Sequence, residues 1–443
     1  MKTSVFGNFG KRGWGIIIYT IFLFMISGIA ADSMNIIFPA LVQINGWNYS
    51  TLMSISTPGA IVCAVVIALF GMWIQKKGPK IVTIVNLIIV IIAWAIAGFM
   101  PTLALFAIVY ALMSAFGTAA AMCSAQTYIS NWFPRKKGIA LGWATIGMPL
   151  SGCILVPIMN GLTNKADGTV QVLPSFLMVA GIALVLLIVT FFTHNNPEDV
   201  GCLPDNEPIT ELERKALAEQ PDGVYSTKEL LKTKQTWFLI IAFSFLYMGL
   251  LGVVMMIIPR MTAVGVAQNT ATAIYSGATI LGIVGSIIWG LIDQRWGTKK
   301  TTVLYSILWT IMLALTGLTS CAKIEWGVIA TVVFFAILFG GLPNLCTSCI
   351  IWIFGRFDFP GANKIISTVI SLVRTLGILI VSWLMVTGGD LSVGLGNAYW
   401  VLAGCSFIGM IFVFLLNRNG IKAMDTSHMS DEEYIKIMEE QQK

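Results

Sequence analysis

Gly71-Met-Trp-Ile-Gln75-Lys76-Lys77-Gly78-Pro79-Lys80 and Gly290-Leu-Ile-Asp293-Gln294-Arg295-Trp-Gly297-Thr-Lys299 say nearly the same thing, 219 positions apart. Each closes a long apolar run with a glycine, then sets glutamine and a cation, a second glycine and a further cation. A repeat at half the chain length means two copies of one structural unit. In an apolar chain it is the pattern of a membrane transporter built from two similar halves.

The chain of 443 residues is 57% hydrophobic and 11% charged. A soluble domain carries about 25% charged residues, so water cannot solvate the outside of this protein, and hydrocarbon removes the need. The net charge of +6 does not point to nucleic acid, because the cations sit in short loops between apolar runs with no aromatic-studded basic patch. The eight cysteines form no disulfide framework, and all but Cys202 and Cys321 fall inside apolar spans. There they act as small hydrophobes. Cys346-x-x-Cys349 stands alone with no histidine near it, which argues against a metal site. No cofactor is implied, and no nucleophile–base set or phosphate loop suggests an enzyme.

A membrane helix needs about 20 apolar residues. Twelve runs qualify, at 14–40, 49–74, 81–100, 103–130, 138–162 and 172–193, then 236–258, 269–292, 301–320, 327–355, 363–387 and 397–417. The first run is too long for a signal-peptide core and is expected to remain as a helix. The reading is an all-α membrane protein: twelve transmembrane helices in two pseudo-symmetric six-helix bundles, 1–193 and 236–417. A cytoplasmic linker, 194–235, carries a short surface helix around Glu211–Lys215, and 418–443 forms a cytoplasmic tail. With both termini inside, 23 of the 27 cations lie in cytoplasmic segments. This is the bias that sets orientation in membranes. A multi-pass protein of the cell membrane, monomeric and in contact with lipid, is expected.

Charges inside the runs are the most informative residues. Only Asp32 and Arg374 lie well within them. An intramembrane charge costs roughly 3 kcal/mol or more and tends to face a wet cavity. Arg374, in the eleventh run, offers the two-pronged donor that suits a carboxylate, although a structural ion pair or snorkelling is the plainer alternative. Asp32 can carry a coupling proton, pair with Arg374 through tilt, or bond the backbone near Pro39. His194 and His428 fall at cytoplasmic positions and stay out of any proton path. Asn35, Gln126, Tyr247, Tyr275 and Asn344 are further candidates to line a substrate cavity, each also explicable as packing. Glycines recur in the fifth run (Gly138, Gly142, Gly147, Gly152) and the eighth (Gly277, Gly282, Gly285, Gly290), where small residues let helices approach closely.

The six-plus-six arrangement, the central loop and the paired glycine motifs resemble the major facilitator superfamily. Trp132-Phe133-Pro-Arg135-Lys136-Lys137-Gly138, continuing to Gly147, is similar to the signature of the monocarboxylate transporter and oxalate/formate antiporter groups. So are Gly46-Trp47-Asn-Tyr-Ser50 and Asn196-Pro197-Glu198-Asp199-Val-Gly201. The resemblance implies a gate at the cytoplasmic side, here Gln75, Lys76, Lys80, Gln294, Arg295 and Lys299. Glutamine stands at 75 and 294 where the family usually has aspartate, so the latch is weakened or built from neutral hydrogen bonds. Ser286 stands where an arginine is expected. The implied activity is secondary transport of a small organic anion, a monocarboxylate held by Arg374, with proton symport through Asp32. Anion exchange, a larger aromatic or steroidal acid as cargo, and a non-transporting sensor are the alternatives.

Overall fold

The computed structural model describes residues 8–165, 167–207, 225–387, 389–419 and 421. The expected surface helix around Glu211–Lys215 and nearly all of the tail lie outside them. Helix α1 is Gly10–Asp32, continued after Ser33 as Met34–Asn45. Helices α2 (56–77) and α3 (79–97) are the arms of Ser56–Ala97. Then follow α4 Leu103–Trp132, α5 Lys137–Thr163 and α6 Leu173–Phe191. The second half holds α7 Lys234–Val254, with an outer piece Ile257–Ala263, and α8 Gln268–Trp296. It ends with α9 Thr298–Cys321, α10 Glu325–Gly355, α11 Asp358–Met385 and α12 Leu391–Leu415.

Eleven helices among the described residues are long and apolar enough to cross a membrane. The longest is two. Gly78 has φ 75 and ψ 170, a backbone open to glycine, and it turns the chain between α2 and α3. Counting both arms gives the twelve runs expected. Gly297, φ 86 and ψ 149, makes the same turn between α8 and α9. The second glycine of each copy of the repeat is therefore a turn residue.

The surface has the polarity of hydrocarbon. Ile61, Ile108 and Val185 are each 59% exposed or more. In water such a surface would drive aggregation; in a bilayer it faces the solvent. Exposed Trp73, Phe192, Trp237 and Trp296 ring the end that carries the basic loops, and Phe99, Trp326 and Trp383 the opposite end, as interfacial aromatics do.

The helices break where their residues demand it. Pro39 has no N–H for the Asn35 carbonyl, and Pro259 none for that of Met255. In each half the first helix is accordingly interrupted a turn or so earlier, at Ser33 and at Met255–Met256. Helices α5 and α11 break just before Gly147 and Gly377. A Cβ on either glycine would collide with the backbone carbonyl of α1 Ile21 or α7 Met248. Helix α4 contains a π-helical turn, Ala120–Ala125.

At the basic end a clasp holds the α4–α5 turn. Asp205 accepts the backbone N–H groups of Arg135 (3.0 Å) and Lys136 (2.8 Å). The Lys136 ammonium bonds the Asp205 carbonyl at 2.8 Å and pairs with Glu207 at 2.9 Å. Trp132 donates its indole N–H to the His194 carbonyl at 3.3 Å, and Phe133 meets Phe9 edge-on at 4.9 Å. The motif that opens the fifth run thus folds against the segment after α6. Among the described residues the linker also holds a helix, Thr227–Lys232, with a capping box from Ser226 and Glu229, and Tyr225 N–H docks on Asp358 at 2.8 Å.

Burial pushes the Asp205 carboxyl up from 3.8 to about 6, outweighing the lowering by its two N–H donors and by Lys136 and Arg135. A carboxyl raised by folding holds more protons folded than unfolded. Its contribution to stability is full below about pH 3.8 and is lost as pH rises through about 6. Detergent melts are expected to show this decline, and Asp205→Asn to flatten it; equal slopes would mean that the clasp does not titrate.

Candidate functional site

The two bundles meet along two antiparallel seams. In the first, α5 lies against α8. A Cβ on Gly290 would stand 2.5 Å from the Gly138 carbonyl oxygen and 2.8 Å from the Gly142 Cα. Further along, Gly282 faces Pro149 and Gly152 faces Thr279. In the second, α2 lies against α11: a Cβ on Gly71 would stand 2.6 Å from the Lys364 Cβ. The first glycine of each repeat is therefore a contact between the bundles. Gly277 has open space around it, so the eighth-run glycines do not all serve the seam.

Between the seams lies a central cavity of about 60 Å³, above the roughly 15 Å³ that a single water needs. Arg374 reaches into it from the break in α11, crossing to the first bundle. Its Nη2 donates to Thr118 Oγ1 at 3.1 Å and lies 3.8 Å from Cys63 Sγ. Its Nε is buried without a partner. Tyr110 and Tyr247 line the same cavity, and the Tyr247 hydroxyl is likewise unpartnered. Among the described residues Arg374 is the one cation in the lining.

Asp32 is buried in a different place. Its carboxylate accepts hydrogen bonds from Ser151 of α5 and, at 3.0 Å, from Tyr275 of α8. The acid thus joins the two bundles through hydroxyl groups, and no ion pair with Arg374 forms among the described residues. Its own bonds likewise leave the backbone near Pro39 out.

Four expected lining residues sit elsewhere, because helix rotation turns them away. Tyr275 serves Asp32. Asn35 reaches from α1 to the Val254 carbonyl of α7 at 3.4 Å. Gln126 contacts Met122 of its own helix at 3.7 Å. Asn344 is fully buried with neither amide atom bonded. Ser286 bonds the Gly282 carbonyl at 3.0 Å, and its hydroxyl fills the space where a Cβ on Gly340 would stand. A guanidinium has no room there.

The gate set is also redistributed. Lys76, Arg295 and Lys299 are exposed at the rim. Lys80 stays inside the first bundle, bonding the Phe191 carbonyl at 2.7 Å. The two glutamines do cross between bundles, Gln75 as an acceptor for a lysine cation and Gln294 as a donor to a carbonyl. Lys364 Nζ donates to Gln75 Oε1 at 3.1 Å, and Gln294 Nε2 to the Arg135 carbonyl at 3.3 Å. Asp293 is the acid that sequence counting placed outside the core. It is 3% exposed, accepts from Ser348 at 2.6 Å, and feels the charge of buried Lys137 across the seam. Arg260, in the outer piece Ile257–Ala263, is buried too, donating to the Val328 carbonyl at 2.8 Å with its guanidinium over the Tyr399 ring at 5.7 Å. Asn363 of α11 donates to the Met122 carbonyl at 2.8 Å. The π-helical turn of α4 holds that carbonyl, as such turns often do at functional sites.

The family model described as Major Facilitator Superfamily matches residues 20–264. The chain is 24% identical over 245 residues to the oxalate:formate antiporter of Oxalobacter formigenes, covering 55% of this chain and 54% of that protein. It thus spans about half the length of the curated relative it matches. Among solved structures it is similar to the proton:xylose symporter XylE bound to 6-bromo-6-deoxy-D-glucose, with TM-score 0.76 and 13% identity over 92% of this chain and 96% of that one. That likeness is one of fold.

A methyl group at Gly290 meets backbone, which cannot swing aside, and overpacking of this kind costs about 1–3 kcal/mol. Gly290→Ala is expected to part the basic end, lengthening spin-label distances between positions 77 and 300, while Gly277→Ala leaves them unchanged. Matching distances in both variants would remove the seam from the gate.

Proposed function

The chain belongs to the major facilitator superfamily, and from that premise we propose that this membrane transporter carries a small organic anion, a monocarboxylate, with proton symport. Cargo is exchanged across the membrane by rocking the two bundles about the central cavity. One observation carries the choice of cargo: a guanidinium in the cavity whose polar partners among the described residues are a hydroxyl and a thiol. A bidentate carboxylate is the ligand such a group lacks. A single cation matches a single carboxylate. A cavity of about 60 Å³ favours a small acid over an aromatic or steroidal one.

Asp32 is the proton carrier in this reading. Its carboxylate draws α1, α5 and α8 together through Ser151 and Tyr275. Protonation weakens those bonds, since a carboxylate accepts more strongly than a neutral acid. The basic end faces the cytoplasm, by the distribution of lysine and arginine, and the protein acts as a monomer in the cell membrane. Exchange of anions is the second reading, favoured by the activity named for the curated relative.

Arg374→Gln is expected to abolish the rise in melting temperature that carboxylates produce by binding the native state. An unchanged rise would take Arg374 out of the site. Asp32→Asn is expected to lose proton-driven accumulation in proteoliposomes while anion exchange survives. Accumulation that persists in that variant would place coupling elsewhere.

A further inference from the structure

Arg374 belongs to α11 of the second bundle, yet its guanidinium is hydrogen-bonded to the first. Nη2 points at Thr118 Oγ1 of α4, 3.1 Å away, with Cys63 Sγ of α2 at 3.8 Å. Thr118 is buried and lines the cavity. A threonine inside a helix ordinarily turns its hydroxyl back to a carbonyl of its own preceding turn, as Thr127 does to Cys123 at 2.6 Å and Thr316 to Met312 at 2.8 Å. Thr118 instead presents an acceptor lone pair to a cation across the bundle boundary.

A carboxylate that bridges Nε and Nη2, or Nη1 and Nη2, takes Nη2 as one of its two prongs. A carboxylate sets full negative charge against the guanidinium and accepts two of its N–H groups at once, where Thr118 offers one neutral oxygen, so an arriving anion competes with Thr118 for Nη2. When the anion leaves, the guanidinium would face the cavity alone, and an unpartnered charge resists being closed into an apolar interior. We propose that Thr118 is a positioning residue that acts as a built-in surrogate for the cargo. It takes Arg374 back when the anion departs, and so lets the carrier close and return without a load. This rests on the reading of Arg374 as the anion anchor. It also gives a physical reason for the choice between symport and exchange: a carrier that closes unloaded completes a net cycle, and one that cannot is confined to swapping one anion for another.

The test uses the full chain, purified without anionic ligand, with spin-label pairs at Lys77 and Lys300 on the basic end and at Lys165 and Glu325 on the opposite end. All four are exposed. Thr118→Val keeps the shape and removes the acceptor. It is expected to cut the population closed at both ends about tenfold, and Thr118→Ser to restore it. In an Arg374→Gln background, Thr118→Val is expected to change nothing, since there is no charge left to satisfy. Unchanged distances in Thr118→Val, or an equal fall in both backgrounds, would overturn the surrogate role. Melting of Arg374→Gln with formate, lactate and oxalate separates the two claims. A melting shift that persists there sinks the cargo assignment. A shift that is lost, beside uncoupled distances, sinks only the role of Thr118.

Discussion

Hydrocarbon rewards no apolar surface for leaving it, so two helical bundles in a bilayer must hold together by close packing and by polar bonds. Gly290 against Gly138 and Gly142 is this constraint at its tightest. Backbone meets backbone with no side chain between, and everything that crosses the seam is arranged around that approach. Gly71 against Lys364 repeats it on the other seam, with a cation in place of the second glycine. One seam is therefore lined by small residues, with Lys137 and Asp293 at its basic end, and the other sets a glycine against a lysine.

The polar bonds across the boundary are few, and each has a different character. At the basic end they are amide contacts, Gln75 to the Lys364 ammonium and Gln294 to a carbonyl, backed by the buried Asp293 and Lys137. Toward the other end Asp32 gathers hydroxyls from both bundles. Between them Arg374 holds a threonine. A bond to an amide is weaker than an ion pair in a dry interior, and weaker latches suit a boundary that opens and closes. Asp32 and Arg374 do not pair with one another among the described residues, and in the proposed reading each serves a mobile partner: an anion for the guanidinium, a proton for the acid.

Two residues of the cavity lining were legible, Arg374 and Tyr247. Arg374 was marked by the cost of a lone charge in lipid, an argument that needs no coordinates, and it does line the cavity. Tyr247 lines it as well. Asn35, Gln126, Tyr275 and Asn344 belong to the right helices and turn elsewhere. A helix apolar on all sides has no amphipathic face to reveal its rotation, so a polar residue within it shows depth but not direction. Asp293 and Arg260 were hidden for a related reason. They sit near helix ends, where sequence suggests exposure and neighbouring helices bury them. Thr118 carried no signal, because nothing in the chain distinguishes a threonine bonded to its own helix from one bonded to a cation far away.

The amino-acid sequence by itself determined the solvent, the number of spans and the twofold repeat, since these follow from local composition. Only the tertiary structure decided which glycine meets which, that Asp32 and Arg374 have separate partners, and that Thr118 faces the guanidinium. Those outcomes depend on how twelve uniformly apolar cylinders rotate against one another. That rotation is set by packing between helices, because hydropathy is nearly the same on every side.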